Sequence, residues 1–473
     1  AQFDKLVSDA RATADPANKS FGAEWKFSLP RLAGLPLWPG HKISGSLSGT
    51  GQAQGTWPGA ALEIRLRTED LALDGIVPGQ ASVTLRSQNV FQKPQGDLQI
   101  TLQKNARVLT LATGYLFPYP RLELTGLSLT GASLDIAGEA AADLKSRLIQ
   151  GRLRGKANDL AALGDWIEEP PRGAVTLEAE MNHDQGRQAI ALMINAASLE
   201  NRWGRLDGMN VEARLRDVFA SPQGTLAIAA TGFQKDALKL ASLNLNAQGG
   251  SPRGEWKLTG HGDWKQPFHF TAGGALEVAQ VRALEIATLE AAYGKIPIVL
   301  DHPARWELRG HTLSLDGLPL RAGSATLFSS GQVDPGRIAW EARLEGFPLD
   351  WLAGAGLGGL AGTLQSHIQI SGSPGNPILQ GQVLGSRLRL SRSSLDQVPE
   401  AALEAKASYA LGIFRADVQV SRLVEKPVAA TLEIPLAFTL SPFHFQMIPS
   451  GALQGQITGE VDLAAVPGLL ALE

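Results

Sequence analysis

Strict alternation of apolar and polar residues, repeated along most of the chain, is the feature that most constrains its fold. In the segment TLEIPLAFTL, residues 431–440, every second residue is large and apolar, and the residues between them are Thr, Glu, Pro or Ala. This period of two predicts a β-strand that buries one face, because successive side chains of a strand point to opposite sides. The apolar positions are Leu432, Ile434, Leu436, Phe438 and Leu440.

The same phasing recurs in segments spread over the sequence, so we expect many strands that each present one apolar face. Polar residues separate the apolar ones, as Arg65 separates Ile64 from Leu66. The apolar positions of these further strands are Leu62, Ile64, Leu66, Leu98, Ile100, Leu102, Val175, Leu177, Leu243, Leu245, Ile368, Ile370, Leu388, Leu390, Val418 and Val420.

Clusters of Gly, Pro, Asn and Ser separate these strands at intervals of roughly 8 to 14 residues, which is typical of all-β proteins. SGSPGNP at 371–377 and QGGSPRG at 248–254 are two such clusters. They supply the positive or fixed φ angles that tight turns require, and the 52 glycines of the chain fit so many turns. The sequence therefore predicts an all-β fold of many short antiparallel or mixed strands, with few short helices.

Helical signals are confined to three short segments. Residues 3–14 place Phe3, Leu6, Val7 and Ala10 on one helical face, and brief helical turns are expected within 158–169 and 347–356. The residues that precede the two latter turns include an Asp, whose carboxylate would accept hydrogen bonds from free backbone N–H groups. We interpret these aspartates as helix caps.

Residues 1–473 are predicted to form one continuous, elongated, repeat-like β region, since no linker or composition shift divides them. Units of strand, Asp-initiated turn, Gly or Pro break and strand recur without a fixed period from Gly151 and from Glu341. Such units favour a sheet built by stacking. The segment VDLAAVPGLLALE resembles the start of a further unit, so we expect the chain to be part of a longer protein.

Charge and cysteine content exclude several classes of function. The chain has 43 Lys and Arg against 46 Asp and Glu, and no basic cluster of the kind that phosphate binding requires, so no nucleic-acid partner is expected. Cysteine is absent, which excludes disulfides and thiolate sites and suits an extracytoplasmic bacterial protein. Without a signal peptide or an apolar run of about 18 residues, the chain as given is expected to be soluble or peripheral.

No group of residues predicts catalysis, a cofactor or a metal site. GSLSG at 45–49 has Leu47 where a nucleophile elbow needs Ser. His261 and His269 lie in a segment whose alternation explains them as strand residues, and the ten tryptophans are spread out as core-facing strand formers. The segment 114–124, GYLFPYPRLEL, would suit a lipid-facing rim, although an ordinary capped loop is the simpler interpretation. We predict a protein that is not an enzyme and needs no cofactor.

The collective signal is an excess of apolar strand faces over helices that could cover them. The pattern also shows no division into two matched sheets. Either the sheet curls on itself and leaves an apolar groove, or it spans a membrane as a barrel. In the first case the alternating strand residues named in the first two paragraphs, from Leu62 to Leu440, are predicted to line the groove.

Repeats such as AGTLQSHIQISGSPGNPILQGQVLGSRLRL and RGKANDLAALGDW carry a resemblance over nearly the whole chain. With their strand, Gly/Pro/Asn turn and Leu-alternating strand, they resemble the TamB family, the inner-membrane subunit of the bacterial translocation and assembly module. That family belongs to the AsmA-like group of bridge-like lipid-transfer proteins.

The resemblance implies a long, curled, taco-like sheet whose apolar groove holds phospholipid acyl chains between the inner and outer membranes. It implies a periplasmic location in a Gram-negative bacterium and a role in outer-membrane assembly. It also implies two partners reached through regions that this chain lacks: the inner membrane, through an N-terminal anchor, and an outer-membrane barrel, through a C-terminal domain.

Two alternatives stay open from the residues alone. A transmembrane β-barrel has similar alternating segments, but its aromatic girdles would enrich tyrosine, of which the chain has four. A structural or adhesive β-solenoid with a packed interior would use the same alternation. A solenoid core would unfold when a charge replaced an inward residue, whereas a groove would not.

Overall fold

The alternation becomes a series of antiparallel strands in a computed structural model of the protein. The structure describes residues 7–32, 43–73, 76–167, 169–278, 282–351, 360–390, 400–422, 426–441, 443–448 and 452–459. Every pairing between the described strands that follow is antiparallel. The predicted all-β class is confirmed, and its strands are antiparallel rather than mixed.

Contacts within the chain form two compact units, Ala1–Gln248 and Gly249–Glu473. The sequence predicted one elongated region without an internal boundary, and that single elongated body stays a prediction. The first unit contains strands β1 Val7–Asp15, β2 Ser20–Leu29, β3 Ile43–Ser44, β4 Leu47–Thr56, β5 Gly59–Leu73, β6 Ile76–Gln88, β7 Gln95–Lys104, β8 Arg107–Leu116, β9 Arg121–Gly131, β10 Leu134–Asp143, β11 Leu148–Ala157, β12 Arg172–Asp184, β13 Arg187–Asn201, β14 Gly204–Arg216, β15 Gln223–Lys235 and most of β16 Leu238–Gly250.

In the first unit each strand pairs with a near neighbour in sequence. β1 pairs with β2, β2 with β4, and β4 with β5, while the two-residue β3 lies beside β5. From β5 to β15 every strand pairs with the next one. The result is an up-and-down meander, in which successive turns alternate between the two edges of the sheet.

The second unit repeats this organisation. Its strands are β17 Arg253–Trp264, β18 Gln266–Val278, β19 Arg282–Tyr293, β20 Ile296–Leu300, β21 Ala304–Arg309, β22 Thr312–Ala322, β23 Ala325–Val333, β24 Ile338–Pro348, β25 Leu360–Ser373, β26 Asn376–Leu390, β27 Ala401–Ala410, β28 Ile413–Ser421, β29 Val428–Leu440, β30 Phe443–Met447 and β31 Gln454–Thr458. β20 and β21 both lie between β19 and β22, and β29 pairs with β28, β30 and β31.

Helical structure in the described residues is limited to brief 3-10 turns. Leu160–Leu163 forms one, and Asp159 caps it by accepting a hydrogen bond from the Ala161 N–H at 2.9 Å, as predicted. A second turn covers 349–351, within the other predicted segment.

The helical pattern read in residues 3–14 is wrong. Val7–Asp15 is strand β1, and its residues pair with β2 from Val7 opposite Ser28 to Asp15 opposite Ser20. The backbone hydrogen bonds of this pairing outweigh a weak local periodicity, because tertiary context routinely overrides propensity. Phe3 and Leu6 lie outside the described residues.

The large apolar side chains of the sheets are mostly half-buried rather than buried. Among the described residues, ten of the buried hydrophobic side chains are alanines and only seven are larger. A sheet face packed under a second layer would bury its Leu, Ile and Val side chains instead. The strands are therefore held mainly by their backbone ladders and by cross-strand side-chain pairs.

Candidate functional site

The register of the first unit brings the apolar faces of its strands into one line. Residues directly opposite each other in an antiparallel pair have side chains on the same face, so the pairings can be followed from strand to strand. The line that starts at Phe27 contains only apolar residues and glycine; we call it the first row. Its members, from β2 to β15, are Phe27, Gly49, Leu66, Val83, Ile100, Leu111, Leu129, Ile136, Gly155, Leu177, Ile194, Val211 and Ile228.

The glycines of the first row are covered by the side chains of neighbouring residues in the row. A Cβ at Gly49 would meet the Phe27 ring at 2.6 Å and the Leu66 side chain at 2.8 Å, and one at Gly155 would meet Ile136 at 2.9 Å. The large side chains thus extend across the glycines, so the apolar surface of the row is not interrupted there. At about 4.8 Å per strand, it covers roughly 60 Å across the sheet.

A matching line crosses the second unit, which we call the second row. It is richer in aromatic residues, and the rings of Trp306 and Trp340 lie 5.8 Å apart, with Leu315 and Gly331 between them in the order of the strands. The members, from β17 to β29, are Gly254, Leu276, Leu284, Trp306, Leu315, Gly331, Trp340, Ile370, Leu379, Tyr409, Phe414 and Ile434.

The predicted groove residues of the first unit share the face of the first row. Leu66, Ile100 and Leu177 belong to the row itself. The other predicted residues of β5, β7 and β12 lie an even number of positions away on the same strands and are half-buried: Leu62, Ile64, Leu98, Leu102 and Val175. Leu243 and Leu245 are half-buried residues of β16. The structure brings the first eight together on one face, and whether that face lines a groove stays a prediction.

The predicted groove residues of β25 and β28 likewise share one face with Leu388, Leu432 and Ile434, whereas Leu436, Phe438 and Leu440 lie in the end of β29, which leaves β28 and pairs with β30. Ile370 and Ile434 belong to the second row, and Leu436 is buried. Ile368 is the most open of the set, with 38% of its surface exposed. The side chain of Leu390 lies outside the described residues. The remaining ones, all half-buried, are Leu388, Val418, Val420, Leu432, Phe438 and Leu440.

Leu388 reaches this face only because of a β-bulge. In the first part of β26 the odd-numbered residues face the second row, since Leu379 lies opposite Ile370. The register shifts between Gly385 and Leu388, where Arg387 adopts a left-handed φ of 53°. The extra residue changes the parity and returns Leu388 to the apolar side, beside Gly385.

Polar and charged side chains occupy the opposite face of the first unit. Glu63 Oε1 accepts hydrogen bonds from Arg65 at 2.7 Å and from Arg86 at 3.3 Å, and Glu63 Oε2 accepts one from Gln52 at 2.9 Å. These hydrogen bonds, Arg65 first, hold the pKa of Glu63 below its usual range. The two faces of the unit thus differ sharply in polarity.

A denser ionic network lies on the polar face of the second unit. Arg305 donates to Glu277 at 3.1 and 2.6 Å and to Glu307 at 2.8 Å, while Arg253 donates to Glu285 at 2.7 Å. The hydrogen bonds from Arg305 lower the pKa values of Glu277 and Glu307, and Glu277, then Glu307, raise the pKa of Arg305. This face is therefore densely charged.

The end of β29 returns over the apolar face of the second unit. The Tyr409 hydroxyl donates toward Leu436 O at 3.2 Å and accepts from the Phe438 N–H at 3.2 Å. The Leu440 N–H donates to Pro374 O, in the turn between β25 and β26, at 2.8 Å. Tyr409 and Leu436 are consequently buried, with 6% and 8% of their surfaces exposed.

An apolar cleft of about 520 Å³ lies beside this returning strand. Its walls include Trp340 and Ile370 of the second row, Leu313 and Leu440. Sequence analysis missed the cleft and the role of Tyr409, because alternation shows which residues share a face but not where a strand leaves its neighbour. The only local signal was the proline in the middle of β29, which cannot donate a ladder hydrogen bond.

The described residues offer no other chemical site of note. Within the described ranges, His, Asp and Glu side chains form no group of three or more able to hold a metal ion. None of the helices in the same ranges has the length and apolar character needed to cross a membrane. Comparisons of the chain with protein-family models, with curated proteins and with solved structures find no match.

Proposed function

We propose that this chain is a non-enzymatic binding surface for lipid acyl chains, and that it passes phospholipid between the inner and outer membranes of a Gram-negative bacterium as part of outer-membrane assembly. The observation that carries the proposal is the pair of unbroken apolar rows, each on one face of a sheet whose other face is charged. The resemblance of the sequence to the TamB family supports the direction of the proposal.

The energetics favour such a surface. An acyl chain that leaves water gains roughly 0.8 kcal/mol for each CH₂ group that it buries. A row without polar interruption lets the chain exchange one apolar contact for the next, so that movement along the sheet costs little at any step. The apolar cleft at Trp340 and Ile370 has a volume in the range of ligand sites.

Adjacent residues of β13 provide a matched test, because they face opposite sides. Ile194 belongs to the first row, whereas Met193 lies on the polar face opposite Glu212 and Glu178. A benzophenone amino acid placed at 194 should crosslink to phospholipid during expression, and the same group placed at 193 should not. Mass spectrometry of the crosslinked protein provides the measurement. Equal crosslinking at both positions, or none at 194 in folded protein, contradicts the proposal.

A second test uses charge on the two faces of β12. Leu177→Asp should weaken binding of a fluorescent fatty acid about tenfold or more, because the alkyl chain would cross an ionised group. Thr176→Asp, exposed on the other face of the same strand, should leave binding unchanged. If Leu177→Asp unfolds the first unit, as judged by circular dichroism, the row is a packed core and the solenoid alternative replaces this proposal.

A further inference from the structure

One edge of the first unit gathers a series of turns. Because the strands pair consecutively and run antiparallel, every second turn lies on the same edge of the sheet. We call the edge that carries the β1–β2 turn the rim. It consists of segments 16–19, 57–58, 89–94, 117–120, 144–147, 185–186 and 217–222.

Backbone hydrogen bonds between successive turns tie the rim together. They join each turn to the next strand end or turn along the edge, so the rim is continuous and not a set of independent loops. β12 pairs with β11 only as far as Met181, opposite Gly151. Beyond that point the buried Gln188 side chain links the two turns, by bonding to both the N–H and the C=O of Ile149 at 2.8 Å. The backbone bonds are Trp57 N–H to Lys19 O (2.9 Å), Val90 N–H to Ala60 O (3.3 Å), Phe117 N–H to Pro94 O (2.7 Å), Leu144 N–H to Pro120 O (3.0 Å) and Val218 N–H to Gln188 O (3.3 Å).

Large apolar side chains project from the rim into solvent. Trp57, Phe91 and Tyr119 have 59%, 54% and 77% of their surfaces exposed, and Leu144 and Phe219 are similarly open. Exposed side chains of this size on consecutive turns of one edge are unusual for a water-facing surface. They make the rim an interaction surface.

The rim also joins the apolar face. The ring of Phe91 lies 4.8 Å from that of Trp57 and 6.2 Å from that of Phe21. Phe21 belongs to β2 at an even spacing from Phe27, so it lies on the face of the first row. An apolar ligand at the rim would therefore meet the first row without crossing polar surface at this point.

Cations are interleaved with the aromatic residues. Lys19, Lys93, Lys145, Arg147 and Arg187 are all exposed on the rim turns or at their ends. A row of Trp, Tyr and Phe side chains with Lys and Arg between them matches the interface of a bilayer, where rings sit at the headgroup level and cations reach the phosphates.

Two rim carboxylates are turned toward the backbone of their own turns. Asp15 accepts hydrogen bonds from the N–H groups of Ala17 and Asn18 at 3.0 and 3.2 Å. Asp143 does the same for the turn between β10 and β11, at 2.8 and 2.9 Å. Their negative charge is partly balanced by these N–H dipoles. Asp217 is a further carboxylate on the rim turns, so the five exposed cations named above outnumber the acidic groups of the turns and still dominate the charge of the rim.

We propose that the rim binds the interfacial region of an anionic phospholipid bilayer, with its aromatic side chains at headgroup depth and its cations on the phosphates. This inference rests on the proposed function in one respect: the rim is the place where lipid would enter the first row. The binding itself requires only the rim. A protein partner would favour a broader and flatter apolar patch than a line of turn tips.

Site-specific labelling tests the orientation directly, because the chain has no native cysteine. Ser146→Cys places an environment-sensitive fluorophore on the rim, and Ala106→Cys places it on an exposed turn at the opposite edge. On vesicles of phosphatidylethanolamine and phosphatidylglycerol, the label at 146 should shift to the blue and the label at 106 should not. Equal shifts at both positions, or no shift at 146, overturn the proposal.

Vesicle flotation then identifies the residues that bind. Trp57→Ser with Phe91→Ser should lower the bound fraction at least tenfold, whereas Trp203→Ser should not, although Trp203 is equally exposed at the other edge. Trp203 already has partners within the protein, since Arg202 and Lys235 lie 5.0 and 5.3 Å from its ring. An equal loss in both variants contradicts a rim-specific contact.

Charge substitutions test the headgroup. Each rim lysine replaced by Gln should weaken binding about fivefold on vesicles that contain phosphatidylglycerol, and should have little effect on phosphatidylcholine alone. The control removes as many lysines elsewhere in the unit and should leave binding unchanged. The rim set is Lys19, Lys93 and Lys145, and the control set is Lys104, Lys156 and Lys235. Binding that is indifferent to the rim set means that a headgroup contact is absent, and a protein partner becomes the better explanation.

The two proposals fail separately. Binding of a fluorescent fatty acid in the absence of vesicles reports on the apolar face alone, and the rim variants should retain it. Rim variants that lose vesicle binding but keep fatty-acid binding support the rim. If wild-type protein floats with vesicles but takes up no fatty acid, the proposed function is contradicted, whereas the proposal that the rim binds a bilayer is supported.

Discussion

The first and second rows follow the same rule of pairing, yet they end differently. In the first unit the row is built of Leu, Ile, Val and Gly, with Phe27 at one end, and its large side chains are half-buried throughout. In the second unit the row passes through Trp306 and Trp340 to Tyr409, where the end of β29 lies over it. Alternation thus builds equivalent faces, and a departure of one strand from its neighbour decides whether a face is covered.

Under the proposed function, this difference would give the two faces different roles. The first row, whose large side chains are half-buried from end to end, would then offer a ligand its whole length. The second row includes two buried residues, Leu315 and Tyr409, and the end of β29 covers Tyr409 close to the apolar cleft at Trp340 and Ile370. We infer that Tyr409 marks an end of the surface on which an acyl chain would lie.

The largest expected effect on stability comes from removing the Tyr409 side chain, which would uncover the end of the second row. Tyr409→Ala should destabilise the return of β29 by about 3–5 kcal/mol, since it deletes a buried aromatic ring, whereas Tyr409→Phe should cost about 1 kcal/mol through its lost hydrogen bonds. Amide hydrogen exchange of residues 436–440 measures both. Phe27→Ala in the half-buried first row should cost less, about 1–2 kcal/mol. An equal cost at Tyr409 and Phe27 would falsify the view that only one row is covered.

Two glycines sharpen the comparison with an intermediate effect. A Cβ at Gly331 would meet the backbone of Trp340 at 2.7 Å and Ala339 O at 2.6 Å, whereas a Cβ at Gly155 would meet only the side chain of Ile136. Gly331→Ala should therefore cost about 1–3 kcal/mol, because a backbone must shift. Gly155→Ala should stay within about 1 kcal/mol of the wild type, because alanine suits a strand better than glycine does.

Urea denaturation followed by the fluorescence of tryptophan measures the pair of variants, since both units contain this residue. The reverse order, with Gly155→Ala the more damaging, would mean that the first row is the tighter of the two. The open character of the first face would then have to be abandoned.

The faces of the strands were predictable from the sequence, because a period of two needs only local information. Leu66, Ile100 and Leu177 were placed correctly on a shared side without any knowledge of which strands pair. Leu388 was also placed with the apolar set, but for a reason that the sequence did not show: the bulge at Arg387 reverses the parity within β26. Strict alternation from Leu379 would have put Leu388 on the polar face.

Long-range arrangement was beyond the reach of the pattern. The contact between Tyr409 and Phe438 joins residues two strands apart. The rim joins turns that differ in length and have no common sequence motif, although five of the seven contain proline. The prediction of a helix at residues 3–14 was wrong for the same reason, since β1 is a strand because it pairs with β2, and local periodicity does not record that pairing. Local sequence records which side of a strand is apolar, but not what meets it.

The smallest expected difference is in how the stabilities of the two units respond to acid, because their polar faces hold their carboxylates differently. The carboxylate of Glu277 accepts two hydrogen bonds from Arg305 and one from Arg253, and its pKa is lowered, with Arg305 as the first cause. A lowered carboxylate pKa stabilises the folded state above the unfolded value near 4.3, and that contribution disappears as the pH falls through the folded pKa. Arg305 stays protonated throughout, so the carboxylate is the group that titrates.

We therefore expect the second unit to lose stability below about pH 4, and Glu277→Gln to remove part of that loss while lowering stability at neutral pH. Glu63→Gln should do the same, more weakly, in the first unit, because Arg65 and Arg86 both donate to a single oxygen of Glu63, whereas Arg305 holds both oxygens of Glu277. Urea midpoints measured from pH 7 to pH 3 test both variants. If Glu277→Gln leaves the pH dependence of the stability of the second unit unchanged, Glu277 does not contribute to it and Glu307 alone pairs with Arg305. The two polar faces would then contribute equally to stability in acid.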